Sequence, residues 1–190
     1  MQGIAVFYGF SCNCLATAGG VVYSHLVLNI PPLLHGNDWH GQDVSGWWCS
    51  EKFDGWRAYW DGQRLLSRQG RDYQAPAWFL AGLPAMPLDC ELWAGNGSNH
   101  NHVAGLDWER LRLVAFDVPG LAVEDAMATL ALLPPSPRLQ VAEFWQVDST
   151  DGARAAMAQV VARGGEGVML RRPGSVYRNT RCDDLLKLKP

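Results

Sequence analysis

The sequence lacks the features on which several common kinds of protein depend. Its five cysteines form no Cys-x-x-Cys pair and no Cys/His ligand spacing, which argues against a disulfide-built fold and against a structural zinc site. Polar residues interrupt the apolar N-terminal segment before any run reaches the ~18 residues that a membrane-spanning helix needs, so we expect no membrane insertion. With 48% hydrophobic residues, the chain also has the composition of a folded domain rather than a disordered one.

Positive charge is missing from the first part of the chain. Residues 1–50 contain no Lys or Arg, whereas residues 163–190 contain seven against three acidic residues. The formal net charge of −3 argues against a polycation that binds phosphate backbones with its whole surface. A site for a polyanion would therefore depend on the C-terminal stretch together with Arg57, Arg64, Arg68 and Arg71.

Lysine is scarce, and its positions are informative. Only Lys52, Lys187 and Lys189 are lysines among the sixteen Lys and Arg residues. An amine can lose its proton and act as a nucleophile whereas a guanidinium effectively cannot, so a chain that otherwise uses arginine has a chemical reason to retain lysine. Lys52 opens the tract Lys52-Phe53-Asp54-Gly55-Trp56-Arg57 and is the candidate nucleophile. The alternative is an ordinary lysine beside an Asp-Gly surface turn.

The residues around Lys52 are typical of a β-hairpin. Residues 47–50 form a short β-prone run that leads to the lysine. The pattern then predicts a strand over 56–60, a two-residue turn at Asp61-Gly62 and a returning strand over 64–68. Lys52 would therefore lie at the mouth of the hairpin.

A pair of carboxylates is expected on one face of a later strand. In residues 88–93, alternation directs Asp89 and Glu91 to the same surface. For Asp89, as for Asp183, a surface ion pair is a plausible alternative. Further strands are predicted over 112–118, 166–171 and 184–189, an extended connector over 31–43, and helices over 77–80, 122–133 and 152–163.

Two segments admit more than one interpretation. Residues 1–30 are an N-terminal arm, a signal or leader segment, or upstream sequence foreign to the fold; they contain a small-x-small site but no basic region before it. His100 and His102 have a spacing that is compatible with a metal site, but a solvated loop over 94–107 is the preferred interpretation.

Five tracts along the chain carry a common pattern. They are Lys52-x-Asp54-Gly55-x-Arg57, Asp89-Cys90-Glu91-Leu92-Trp93, Phe116-Asp117, Glu166-Gly167-Val168-Met169-Leu170-Arg171 and Leu186-Lys187-Leu188-Lys189. Their order and approximate spacing resemble those of the covalent nucleotidyltransferases, which comprise ATP-dependent DNA ligases, RNA ligases and mRNA capping enzymes. The residues around the tracts resemble most the minimal ATP-dependent DNA ligases of bacteria, many of which are exported to the periplasm. The resemblance covers residues 31–190.

The resemblance implies an α+β fold, a nucleotidyltransferase (adenylation) domain of antiparallel β-sheets flanked by helices. It implies that Lys52 attacks the α-phosphate of ATP and holds AMP as a phosphoramidate. Phe116 would stack on adenine, and Glu166 and Glu91 would hold Mg²⁺ or Mn²⁺, Glu91 alternatively binding the ribose. The other residues assigned to nucleotide binding are Glu51, Asp54 and Arg57 near the lysine, Arg68 for a phosphate of the nucleotide or of the DNA 5′ end, and Lys187 and Lys189 for the α-phosphate.

The implied partner is nicked double-stranded DNA, and we expect a monomer, periplasmic by resemblance or else cytoplasmic. Family members carry an oligonucleotide-binding domain after the last lysine tract, whereas this chain stops at Pro190, so we expect that domain to be absent. Residues 94–111 also look shorter than the family's segment. Two alternatives stay open: an RNA ligase or capping-type enzyme, and a truncated ligase-like domain that binds nucleotide or DNA ends without full ligation.

Overall fold

The computed structural model describes residues 30–96 and 107–190. Two parts of the chain lie outside the described residues. The first is the N-terminal segment before residue 30. The second is residues 97–106, which include His100, His102 and part of the segment 94–111 that was expected to be shorter than in the family. In chain order the elements are β1 (His35–Asp38), β2 (Trp48–Glu51), β3 (Trp56–Trp60), β4 (Leu65–Ser67), α1 (Ala77–Leu80), β5 (Leu88–Trp93), β6 (Arg112–Asp117), α2 (Val123–Ala131), β7 (Leu139–Val141), β8 (Trp145–Gln146), α3 (Thr150–Ala162), β9 (Val168–Arg171) and β10 (Arg181–Leu188).

The strands form two five-stranded sheets. The first sheet has the order β1-β10-β9-β2-β8, and the second has the order β4-β3-β5-β6-β7. Most neighbours are antiparallel, but β1 pairs parallel with β10 and β6 pairs parallel with β7. The α+β class is confirmed, with sheets that are mixed rather than purely antiparallel. Each parallel pairing joins segments that are distant in sequence, so a local sequence pattern cannot predict it.

Each sheet has its own hydrophobic core. The second sheet packs against α1 and α2, which contribute Phe79 and Leu130 to a cluster that includes Leu92 and Leu113. The first sheet packs against α3, which contributes Ala153 and Val160 to a cluster with Cys49, Leu170 and Leu186. Because side chains alternate along a strand, the residues between these buried ones point to the opposite face of each sheet.

Helix α3 begins at Thr150, two residues before the predicted start at Gly152. Ser149 is the N-cap residue, and its Oγ accepts a hydrogen bond from the Gly152 amide at 3.0 Å. None of the helices in the two described ranges combines the length and the apolar character needed to cross a membrane.

The connection between β3 and β4 differs from the expected two-residue turn. Trp60 pairs with Leu65, so four residues join the strands. The Asp61 carboxylate accepts hydrogen bonds from the amides of Gln63 and Arg64, at 2.8 and 2.6 Å. The two-residue prediction was wrong because this side chain satisfies the amides of a longer turn.

The predicted connector over 31–43 contains a strand as well. Residues of β1 pair with β10 near the C-terminus, with a register shift between Gly36 and Asn37. A Cβ at Gly36 would lie 2.8 Å from the Leu185 carbonyl oxygen, so the close approach of the two strands requires glycine there. The sequence suggested only an extended segment because its partner lies about 145 residues further along the chain.

Candidate active site

A pocket lies between the two sheets, lined by residues that alternate along their strands. Glu91 on β5 and Phe116 on β6 come from the second sheet, and Met169 on β9 and Lys187 on β10 come from the first. Lys52 follows β2 directly. The other lining residues include Trp48, Ser50, Arg57, Asp89, Asp117 and Arg171.

Lys52 lies at the centre of a cluster of charges. Its amide donates to the Gly167 carbonyl at 2.9 Å, which continues the pairing of β2 with β9 and fixes the lysine backbone. Its Nζ forms an ion pair with Glu166, and the other oxygen of Glu166 accepts Lys189 Nζ at 2.5 Å. Although burial acts to raise it, hydrogen bonds from Lys189 and Lys52 hold the pKa of Glu166 below its ordinary value. Glu166 is therefore an anion shared by two lysines.

Glu91 faces the same cluster from the second sheet. Its Oε1 accepts the Gly55 amide at 3.1 Å. Burial raises its pKa to about 7, against the opposing charges of Arg57 and Lys52. A Cβ at Gly55 would lie 2.9 Å from Glu91 Cγ and would also overlap the Leu92 carbonyl oxygen, so only glycine permits this approach.

Arg57 is anchored rather than free. Its guanidinium binds Asp89 through Nε, 2.5 Å from Oδ1, and through Nη2, and it also donates to the Leu34 carbonyl at 3.0 Å. Its Cζ lies 4.9 Å from the centroid of the Phe116 ring, as in a cation–π contact. Tyr177 donates to Asp89 at 2.6 Å. Arg57 thus holds one face of Phe116 in place.

Asp89 is fully buried, so the interpretation of this residue as part of a surface ion pair is wrong. A buried carboxylate requires several partners, and Arg57 and Tyr177 supply them. Asp183, the other residue for which a surface pair was considered, is exposed and accepts a hydrogen bond from Asn37 at 2.6 Å.

A second buried ion pair lines the pocket, and the sequence did not predict it. Arg171 is 5% exposed and lies 3.3 Å from Asp117, and its Nε donates to Ser175 Oγ at 2.6 Å. Burial raises the pKa of Asp117 to about 7, although Arg171 opposes that change. The sequence signal for this ion pair was the position of an aspartate and an arginine at the ends of two apolar strands, β6 and β9.

The other residues predicted to bind the nucleotide lie at different places in and around the pocket. Arg68 is exposed and lines the pocket, and Lys187 Nζ lies 3.0 Å from Asp38. Asp54 is half-buried just beyond Lys52. Glu51 pairs with Arg163 at the end of α3, at 2.9 Å, and its Oε1 is buried with no hydrogen-bond partner in the described part of the chain.

Carboxylates are also the candidate metal ligands. Glu166 and Glu91 offer hard oxygen atoms, which suit Mg²⁺. Among residues 30–96 and 107–190, no group of three or more His, Cys, Asp or Glu side chains could hold a metal ion. The two glutamates are compatible with Mg²⁺ by donor type, since this ion commonly takes one or two carboxylates together with phosphate oxygens and water. Fold and site together define a nucleotidyltransferase domain.

Comparison with known proteins places this domain more narrowly. A DNA ligase from Haemophilus influenzae is 35% identical, and the match covers 83% of this chain and 62% of that protein. The solved structure of a Lig E DNA ligase, described as DNA binding with a minimal scaffold, has a TM-score of 0.75 at 31% identity and covers 83% of this chain and 68% of that chain. The ligase domain of M. tuberculosis LigD has a TM-score of 0.64 at 25% identity, over 83% of this chain and 58% of that chain.

The chain belongs to the DNA ligase family, and the resemblance to the minimal ATP-dependent ligases is confirmed. It spans about three fifths of the length of the Haemophilus influenzae relative. No protein-family model matches the chain.

Proposed function

We propose that this chain is the catalytic domain of an ATP-dependent DNA ligase. It forms a lysyl-AMP at Lys52 and transfers the AMP to the 5′-phosphate of nicked double-stranded DNA. The observation that carries the proposal is the convergence of sequence-distant residues on Lys52: Glu166 and Lys189 contact the lysine cluster, and Glu91 and Phe116 line the same pocket.

In the first step Lys52 Nζ gives up a proton to solvent and forms a bond to the α-phosphorus of ATP. The bond from that phosphorus to the oxygen it shares with the β-phosphate breaks, and pyrophosphate leaves with the electron pair. Phosphoryl chemistry of this kind depends mainly on positioning and on neutralising charge. Lys187 and Lys189 supply cations for the phosphates, and Lys52 is already held by its backbone bond to Gly167.

In the second step an oxygen of the DNA 5′-phosphate forms a bond to the phosphorus of AMP. The phosphorus–nitrogen bond breaks, and Lys52 recovers its proton. Arg68 is exposed at the pocket and makes no side-chain hydrogen bond or ion pair among the described residues, so it is available for the DNA phosphate. The adjacent 3′-hydroxyl then displaces AMP and seals the nick.

Glu166 and Glu91 would hold Mg²⁺, for the reasons of donor chemistry given above. The ion would neutralise charge on the phosphate oxygens. The chain's own part is to keep Glu166 anionic between Lys52 and Lys189, which leaves its oxygens ready for a cation once the lysines turn to phosphate.

A nicked duplex with a labelled 5′-phosphate tests the proposal. With ATP and Mg²⁺ the wild-type protein should give the adenylated 5′ end and the sealed strand. Lys52→Ala and the charge-retaining Lys52→Arg should give neither, because neither side chain can form a phosphoramidate under these conditions. A nick that is adenylated beforehand bypasses the lysine, and Lys52→Ala should still seal it.

Other results would favour other functions. Sealing only of ribonucleotide strands would identify an RNA ligase instead. Binding of the nick without nucleotide transfer by the wild-type protein would identify a domain that recognises DNA ends and performs no ligation. In either case the proposal as stated would be wrong.

A further inference from the structure

Trp48 lies in the pocket but has no part in the proposed chemistry. It lies on β2 and shares the pocket face with Ser50, because side chains alternate along the strand. Lys52 lies four positions after Trp48 along extended backbone, a span of about 13 Å between the two Cα atoms. That span is comparable with the length of a nucleoside monophosphate from its phosphorus to the far edge of a purine. Trp48 is therefore at the end of the pocket where the base would lie.

The lining of this end is mainly apolar and aromatic. Phe116, Phe144, Val123 and Met169 line the pocket together with Trp48. Arg171, the cross-strand partner of Trp48, lines it as well, but its charge is paired with that of Asp117 in a buried ion pair. A purine offers a broad π surface that packs against such side chains. The pocket thus has a polar end for phosphates and an apolar end for a base.

The Trp48 ring is held in place from outside the pocket. Its indole Nε1 donates to Glu124 Oε1 at 2.8 Å. Both carboxylate oxygens of Glu124 also accept the Gly174 amide, at 3.0 Å each. Glu124 lies in the first turn of α2 and Gly174 in the turn after β9, so one carboxylate connects three separate elements.

We propose that Trp48 forms the purine-contacting wall of the nucleotide site and that Glu124 is the positioning residue that fixes its ring. This inference rests on the proposed function, since it concerns the nucleotide that Lys52 would use. A fixed indole presents a rigid surface that costs no side-chain ordering when the base enters. A pyrimidine, with one ring fewer, would not reach the wall.

Although burial acts to raise it, the hydrogen bonds from Trp48 and Gly174 keep the pKa of Glu124 below its ordinary value. Glu124 is therefore an anion at neutral pH, and hydrogen bonds to charged groups are the stronger kind. Glutamine at this position keeps an oxygen for the indole, whereas alanine removes the acceptor altogether. The two substitutions separate positioning of Trp48 from the mere presence of a charge in α2.

The test is titration of ATP into protein labelled with ¹⁵N at the tryptophan indoles, with the Trp48 resonance assigned by its loss in Trp48→Phe. ATP should shift that resonance in Lys52→Ala protein that carries no other change. Glu124→Ala should move the resonance before ATP is added and raise the dissociation constant of ATP about tenfold, as loss of one charged hydrogen bond implies. Glu124→Gln should restore most of the affinity.

Asp125→Ala is the matched control. Asp125 is also acidic and in the first turn of α2, but its side chain is exposed. It should leave the affinity for ATP unchanged while altering the helix terminus to a similar extent. In the Trp48→Phe background, Glu124→Ala should have little further effect, because both changes remove the same contact.

Three results would overturn the inference. The first is a Trp48 resonance that does not shift when ATP is added. The second is a change in the dissociation constant of ATP for Glu124→Ala that is no larger than the change for Asp125→Ala. The third is additive changes in that constant for Glu124→Ala and Trp48→Phe. With Lys52→Ala as the common background of all these variants, the titration follows binding alone and is independent of lysine chemistry. If ATP shifts Trp48 but no adduct forms on Lys52 of the wild-type protein, the proposed function fails and this inference stands.

Discussion

Each of the three lysines in this chain lies next to a carboxylate. Lys52 and Lys189 share Glu166, and Lys187 pairs with Asp38. Lys52 and Glu166 are only 20% and 23% exposed, so their interaction is less screened than one on the surface. We infer that an entering phosphate takes over the lysine partners and releases Glu166.

Asp117 gives a pH-dependent stability that can be measured. Its pKa is raised to about 7 by burial, from 3.8, so between these values the folded state binds more protons than the unfolded state. Stability should therefore fall as pH rises from about 4 to about 7. Asp117→Asn keeps an oxygen for Arg171 but has no proton to lose. Its melting temperature should therefore rise relative to that of the wild type as the pH increases from about 4 to about 7.

Thermal melts of both proteins at pH 4.5, 6 and 7.5 check this prediction. Glu91 titrates in both proteins and cancels in the difference. A constant difference between the two melting temperatures would show that Asp117 does not titrate in this range.

Tyr177 tests the buried network around Asp89. The hydroxyl is 2.6 Å from a carboxylate that is fully buried. Tyr177→Phe should reduce the free energy of unfolding by about 1–3 kcal/mol, the cost of removing a hydrogen bond to a buried charged group. Tyr59→Phe is the control, since the Tyr59 hydroxyl makes no hydrogen bond in the described ranges. Equal urea midpoints for the two variants would contradict the importance of this contact.

The site residues that could be predicted are those carried by short tracts. Lys52, Glu91, Phe116 and Glu166 were assigned from such tracts, and the structure brings them to one pocket or one charge cluster. Their individual roles stay predictions. Trp48, Arg171 and Tyr177 were not assigned, because their relation to the pocket arises only when distant strands and turns come together.

Among the elements, strands with clear alternation were predicted well. The bounds of β3 and β5 agree with the prediction, since each alternates buried and half-exposed side chains over its last four residues and lies between turn residues. The short strands β7 and β8 were not predicted. They have three and two residues, too few to show a period, and their pairing is decided by the neighbouring strand.

The junction of β3 with β5 depends on a glycine. Gly55→Ala would press a methyl group against the Leu92 backbone and Glu91 Cγ. We expect a loss of stability larger than that of Gly120→Ala, which has open space and costs only the about 1–2 kcal/mol of its positive φ. We also expect Gly55→Ala to lose nucleotide transfer, because Glu91 is displaced.

Urea unfolding and a transfer assay on both variants test this prediction. Gly120→Ala should keep full transfer activity. If Gly55→Ala matched it in both measurements, the close approach of the two strands would not be what positions Glu91.

At the scale of the whole molecule, the pocket lies where two separately packed sheets face one another. A nucleotide in this position contacts both sheets and should stabilise the protein as a unit. At a concentration 100 times its dissociation constant, a ligand adds about 2.7 kcal/mol. For a chain of 190 residues that corresponds to an increase in melting temperature of about 5–10 °C.

Lys52→Ala is the useful variant for this measurement, because it separates binding from covalent transfer. Its melting temperature should rise with ATP and much less with CTP, since the apolar end of the pocket suits a purine. An equal rise with both nucleotides would indicate that only the phosphates are recognised.

The central claim is that Lys52 carries AMP, and the mass of the intact protein tests it most directly. After incubation with ATP and Mg²⁺, the wild-type protein should gain the mass of one AMP group. Peptide mapping should locate the group at Lys52, and acid should remove it. Lys52→Arg should remain at its original mass. An adduct on Lys187 or Lys189, or none on a protein that binds ATP, would contradict the claim.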